Sequence, residues 1–182
     1  MLGERTATES RRKTYLNIKD GAIVRRNSNG EEERFSFVEG RLQGITQRER
    51  NFRGETVVYW YIDLMDEAGE LYSIGSPYGS NTYKSIILQL ASFEGLEAVK
   101  RGSTVKIEPY LKNDFTKVQV YADGERLSWA TRELPPIEEA TIGGRKVKDD
   151  SKRMELIISL TETIREALRL RGASEDFSNI NS

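Results

Sequence analysis

The residues of this chain whose types and spacing could do chemistry are aromatic rings set among cations. Tyr59 and Tyr61 stand two residues apart in the β-branched and aromatic run from Thr56 to Met65. Tyr110 and Tyr121 fall near Lys106 and Lys117 in two later alternating segments, and Arg48, Arg50 and Arg53 surround Phe52 just before Gly54. Arg41 lies a little upstream. Rings interleaved with guanidinium and ammonium groups suit an anionic polymer with flat, unstacked bases. Each base stacked on a ring contributes about 1–3 kcal/mol while the cations meet phosphates. Duplex DNA presents no such open base faces. The chemistry in prospect is recognition, with no bond made or broken.

Composition points the same way. Among the 182 residues there is no cysteine and no histidine. Disulfides, thiolate or imidazole zinc sites, Cys nucleophiles and Ser/His machinery are thereby excluded, as is the usual proton carrier near neutrality. No Gly-x-x-x-x-Gly-Lys-Ser/Thr or Gly-x-Gly-x-x-Gly segment occurs to cradle a phosphate. Asp63, Asp66, Glu67 and Glu70 straddle a strand end and a turn without ligand-like spacing, and read as a polar turn instead of a metal cluster. The expectation is a protein with no catalytic residue, cofactor or metal. The formal net charge is −1, and residues 35–129 hold 11 Lys+Arg against 13 Asp+Glu. Bulk charge therefore cannot hold a nucleic acid, and binding must come from local distribution and stacking. No run approaches the roughly 20 apolar residues of a membrane span. Met1 to Lys13 has no apolar signal core, so a cytoplasmic setting is expected, that of the host if a phage encodes the chain.

The elements that must position these residues are mainly strands. Residues 1–13 read as a disordered basic arm ending in Arg11, Arg12 and Lys13. Residues 14–34 read as a hairpin turning at Asp20-Gly21, a pair suited to a type I′ turn, followed by a polar turn from Asn27 to Arg34. Phe35 to Arg48 predicts a long strand bent at Gly40 or Gly44, Thr56 to Met65 a second, and Leu71 to Ile74 a short third. Ser80 or Asn81 caps a helix to about Phe93, with Ile86, Ile87, Leu90 and Phe93 on one face. Val105 to Glu108 and Lys117 to Tyr121 form a closing hairpin. Three strands, a helix and two strands over residues 35–129 is the order of a five-stranded oligonucleotide/oligosaccharide-binding (OB) barrel, with one helix between strands 3 and 4.

Beyond the barrel, residues 130–149 carry Pro135-Pro136 and Gly143-Gly144 and read as a linker. Residues 150–172 predict an amphipathic helix with Met154, Ile157, Ile158, Thr161, Ile164 and Leu168 as its stripe, and 173–182 a disordered tail. The stripe is expected on the chain's own barrel, with a second copy or a replication partner as the alternative. Period-2 alternation puts Val58, Trp60, Ile62 and Leu64 inside the barrel and Val57, Tyr59, Tyr61 and Asp63 outside. Lys106, Tyr110, Lys117 and Tyr121 then share the outer face of the last hairpin. The Arg48–Arg53 segment is the loop after the first strand, where OB folds commonly bind. Each signal has a plainer reading. Outward tyrosines also serve as cross-strand pairs, and the arginine loop contains Glu49 and Glu55.

Three segments resemble the OB-fold single-stranded-DNA-binding proteins of bacteriophages, notably the crAss-like phages, and of gut bacteria. They are Lys13-Thr14-Tyr15-Leu16-Asn17-Ile18-Lys19-Asp20-Gly21, Tyr59-Trp60-Tyr61-Ile62-Asp63-Leu64, and Val118-Gln119-Val120-Tyr121-Ala122-Asp123-Gly124. The resemblance covers roughly residues 13–129. It implies coating of single-stranded DNA during replication or recombination, without cofactor or catalysis. Two readings from other classes stand beside it. One is an OB-type adaptor of a phage particle or replisome, and the other a carbohydrate-binding module, since tyrosines also stack on sugars.

Overall fold

The computed structural model describes residues 12–180, with side chains to Glu175. The predicted arm of residues 1–13 lies outside them except for Arg12 and Lys13, and Lys13 opens the first strand. Eleven strands and three helices follow in the order β1 (Lys13–Lys19), β2 (Ala22–Arg26), β3 (Glu32–Phe35), β4 (Val38–Phe52), β5 (Glu55–Met65), β6 (Leu71–Pro77), α1 (Asn81–Leu90), α2 (Phe93–Arg101), β7 (Thr104–Lys112), β8 (Phe115–Ala122), β9 (Glu125–Arg126), β10 (Glu138–Ile142), β11 (Arg145–Asp149) and α3 (Ser151–Ile180). No helix of the described residues is long and apolar enough to cross a membrane.

Nine of the strands form one mixed sheet in the order β3-β2-β1-β6-β5-β4-β7-β8-β9. The predicted succession of three strands, helix and two strands is present, and β4 pairs with both β5 and β7. The predicted five-stranded barrel is not, since the sheet has nine strands and does not close. Two local events explain why. The free edge of β6 is taken by β1, which runs parallel to it from Lys13↔Leu71 to Asn17↔Gly75. The outer edge of β8 is taken partly by β9, at Tyr121↔Arg126 and Ala122↔Glu125, and partly by buried Gln89 of α1, which donates Nε2 to the Val118 carbonyl at 3.0 Å and accepts from the Val120 N–H at 2.8 Å. With those edge groups already bonded, β6 and β8 have no ladder left to make.

The N-terminal hairpin forms as its turn chemistry predicts. Asp20 (φ 48°) and Gly21 (φ 73°) both take positive φ, as a type I′ turn requires. Gly21 also lies against the β7–β8 hairpin. Its N–H donates to Thr116 Oγ1 at 3.1 Å, and a Cβ there would meet Leu111 Cγ at 2.7 Å. The polar turn expected over Asn27–Arg34 is shorter than predicted, since Glu32–Phe35 pairs with β2 as an edge strand. The bend predicted in the long strand is a bulge, where the β4–β5 register shifts between Leu42 and Gly44.

One apolar core fills one side of the sheet. It joins Leu16, Leu42, Ile45, Trp60, Ile62, Leu64 and Ile74 to Ile86, Ile87 and Leu90 of α1 and to Met154, Ile157, Ile164 and Ala167 of α3. The single helix predicted to Phe93 is in fact two. Ser92 accepts from the Gly95 N–H and starts α2, which ends at Gly102 in the left-handed region. The predicted stripe of α3 is buried on the chain's own core at Met154, Ile157, Thr161 and Ile164, whereas Ile158 faces outward. Arg171 donates to the Leu42 carbonyl at 2.8 Å, so α3 satisfies a carbonyl at the bulge. Two expectations about the C-terminal third fail. The 130–149 linker contains the β10–β11 hairpin turning at Gly143-Gly144, and α3 continues through most of the predicted tail to Ile180.

Candidate nucleic-acid interface

On the side of the sheet away from the core, the pairing register aligns the side chains that matter. Tyr15 of β1, Ser73 of β6 and Asp63 of β5 share one row, and Asn17, Gly75, Tyr61 and Thr46 share the next. Further along, Tyr59 stands opposite Pro77 on one side and Arg48 on the other. Because β6 contributes only Ser73 and Gly75 to this face between Tyr15 and Tyr61, the sheet carries a trough flanked by rings. Gly75 is required there, since a Cβ would come within 3.1 Å of Tyr61 Cε1.

The trough widens into a groove of about 970 Å³. Its lining includes Tyr15, Tyr59, Tyr61 and Phe52, with Arg48, Arg50, Lys19 and Arg26 as cations. Glu32 and Glu49 are its carboxylates, so four cations against two acids give a local balance of +2 in a chain of net charge −1. The β4–β5 hairpin forms one side of the groove and the N-terminal hairpin the other.

The rings form a connected set. Tyr59 and Tyr61 stack with centroids 6.4 Å apart and planes at 29°, and Tyr15 meets Tyr61 edge-on at 6.1 Å. Arg48 lies 5.6 Å from the Tyr61 ring centre, Arg50 5.3 Å from that of Tyr59, and Arg53 5.3 Å from that of Phe52. The first two contacts are diagonals of the β4–β5 ladder, the reach expected of long side chains on one face. None of these arginines has an ion pair among the described residues. Their guanidinium groups are held over rings without neutralisation, a disposition that leaves both charge and ring edge open to a ligand. Phe52 is 62% exposed and Tyr15 53%.

Of the residues predicted from sequence, Arg48, Arg50, Phe52, Tyr59 and Tyr61 therefore come together here, with Arg53 at the adjoining turn. Tyr61 departs from expectation in one respect. It is on the outer face as predicted but only 7% exposed, because Tyr15 and Arg48 cover it. Asp63, also assigned outward, is buried beneath Lys13, whose Nζ lies 2.8 Å from its Oδ2. Asp66 accepts from the Glu70 N–H and from Tyr72 Oη, as a turn residue does.

Lys106, Tyr110, Lys117 and Tyr121 share a different surface, the outer face of β7–β8. Lys106 is engaged there, 4.4 Å from the Tyr121 ring centre, 5.3 Å from that of Phe37 and 3.1 Å from Glu108. Tyr110 and Lys117 are exposed and face one another across the ladder. Arg41 belongs to neither surface, which corrects its assignment to the track. It packs on Gly102 and is ion-paired with Glu175 of α3. The neighbouring Arg171 is pulled below its ordinary value by burial and, secondarily, by the Arg41 charge.

Tyr15 is the groove residue that sequence reasoning placed only in a hairpin. Its alternation with buried Leu16 was visible, but the parallel pairing that sets β1 beside β6 was not. Comparison with known proteins finds no matching family model, no matching curated protein and no matching solved structure.

Proposed function

We propose that this protein binds single-stranded DNA, largely without sequence preference and without catalysis, in replication or recombination. The observation that carries the reading is the groove, with Tyr15, Tyr59, Tyr61 and Phe52 beside unpaired Arg48 and Arg50. A single strand can lay its bases on the exposed Tyr15 and Phe52 and the half-buried Tyr59, with Tyr61 beneath them as support, and its phosphates against the guanidinium groups, a mode indifferent to sequence because every base has a π face. The sharing of β4 between β5 and β7, with the helical segment before β7, supports an OB-like core. In that core β1 occupies the position a closing strand would take. The adaptor reading through the C-terminal stripe has less support, because that stripe is spent on the protein's own core.

Titration with labelled oligothymidylate at several salt concentrations tests the proposal. Micromolar or tighter binding that weakens with salt is expected, with a log–log slope of about −0.7 per phosphate contact. Tyr59→Ala should weaken it. Absence of binding at low salt would overturn the reading, and equal binding of an uncharged oligosaccharide would favour the sugar-binding alternative.

A further inference from the structure

The β10–β11 hairpin forms a two-stranded sheet of its own, separate from the main one. Ile142 is 68% and Val147 44% exposed, and of its ten strand residues only Ala140 is half-buried. A hairpin this isolated is marginal in water, and its five-residue strands extend about 16 Å.

Its charges are unevenly distributed. At the base Glu138 is bound by Lys152 at 2.5 Å, and Asp149 accepts from the Ser151 N–H at 2.9 Å. At the tip Arg145 and Lys146 have no ion pair among the described residues and stand opposite Ile142 and Thr141, whereas Lys148, near the base, stands across the ladder from Glu139. The three basic and three acidic residues of the two strands balance overall, with the acids at the base and two cations at the tip.

The root of this hairpin lies beside the groove. Asp150, the residue after β11, accepts from Lys84 Nζ of α1 at 2.9 Å and lies against Gly79. Two residues before Lys84, Thr82 lines the groove together with Pro77, and its hydroxyl is 2.9 Å from that of the α1 cap Ser80. The hairpin thus starts at the end of the groove marked by the first turn of α1.

We infer that β10–β11 is an arm whose cationic tip engages the phosphates of single-stranded DNA where the strand passes the Thr82 end of the groove, an inference that rests on the proposed reading of the groove. The occupant follows from the charge of the tip. Arg145 and Lys146, with no acid across the ladder from them, fit a polyanion, and the polyanion already proposed for the groove passes the arm's root. Groove and arm would then supply different terms, stacking from the first and counterion release from the second.

The test compares full-length protein with the double variant Arg145→Ala, Lys146→Ala, whose substitutions fall on exposed positions. Both are titrated with oligothymidylates of about 8 and about 30 nucleotides, the shorter within the usual site size of one such fold. On the long oligomer the variant should show a salt slope shallower by about 1.4, from two lost contacts at about 0.7 each, so that wild type loses about sevenfold more affinity between about 50 and 200 mM salt. On the short oligomer the two should agree. Identical slopes on the long oligomer, with Tyr59→Ala weakening both lengths, would overturn the arm and leave the groove standing. No binding of either oligomer by wild type at low salt would overturn both.

Discussion

Trp60 and Tyr61 are consecutive in sequence and belong to two aromatic clusters of opposite character. On the core side, Trp60 is stacked on Tyr83 of α1 with centroids 4.9 Å apart and planes at 6°, lies 6.0 Å from Tyr78, and is capped by Arg165 of α3. On the side away from the core, Tyr61 joins Tyr59 and Tyr15 across a floor of Ser73 and Gly75. Similar rings close on themselves in one place and leave a groove in the other. What differs is the neighbouring element: helices supply large side chains to fill the first face, and β6 supplies almost none to the second. An aromatic cluster on a strand therefore becomes core or binding surface according to what its neighbours leave unfilled.

If that contrast is right, substitutions on the two faces of β5 should separate stability from binding. The largest effect is expected at Trp60, which is 2% exposed. Trp60→Ala should lower unfolding free energy by about 3–5 kcal/mol through lost burial and the cavity left behind, as read by chemical denaturation. A loss under about 1 kcal/mol would mean that the inner cluster is not a packed core. Next comes Tyr59→Ala, which should weaken single-strand binding by about 1–3 kcal/mol, one stacked base, while the denaturation midpoint scarcely moves. The contrast breaks if stability falls as far as it does at Trp60.

Tyr83→Phe sharpens the inner side. The phenol bonds to Thr161 Oγ1 at 2.9 Å, and removing it should cost about 0.5–1.5 kcal/mol near neutrality. Burial pushes the Tyr83 hydroxyl well above its ordinary value near 10. The folded state then keeps this proton when the unfolded chain releases it, so the wild type should lose stability as pH rises above about 10. The phenylalanine variant lacks that loss, and the two stability curves should converge on the alkaline side. Parallel curves would show that Tyr83 does not titrate on unfolding. The smallest effect is expected from Arg50→Ala on the outer side, a salt slope shallower by about 0.7 with unchanged stability.

Much of this was legible in the chain, for reasons tied to particular residues. Asp20-Gly21 announced its turn because few residues take positive φ at both positions. Thr56–Met65 announced its strand through its β-branched and aromatic run, whereas the Arg48–Arg53 segment, expected as a loop, is strand as far as Phe52 because β4 stays paired with β5 down to Phe52↔Glu55 and turns only at Arg53-Gly54. The failures have a common origin. Ser92 is one capping residue among many serines, so the break between α1 and α2 carried little local signal. Glu32–Phe35 is charged and polar, as an exposed edge strand can be, and was indistinguishable from a turn. Arg41 reads as any outward arginine until α3 brings Glu175 to it from more than a hundred residues away.

The sequence by itself determined the elements and their faces, because turn preference, capping and alternation act over a few residues. It also determined the absence of histidine and cysteine chemistry. Only the tertiary structure decided that the ring stays open, because β1 takes the edge of β6, and Gln89 the part of the edge of β8 that β9 leaves, through contacts remote in sequence. That same placement of β1 sets Tyr15 across the trough from Tyr61 and makes a groove from rings that local pattern could only place on an outer face. Local chemistry fixes where a side chain points along its strand, while the partner it meets depends on which strand edges pair.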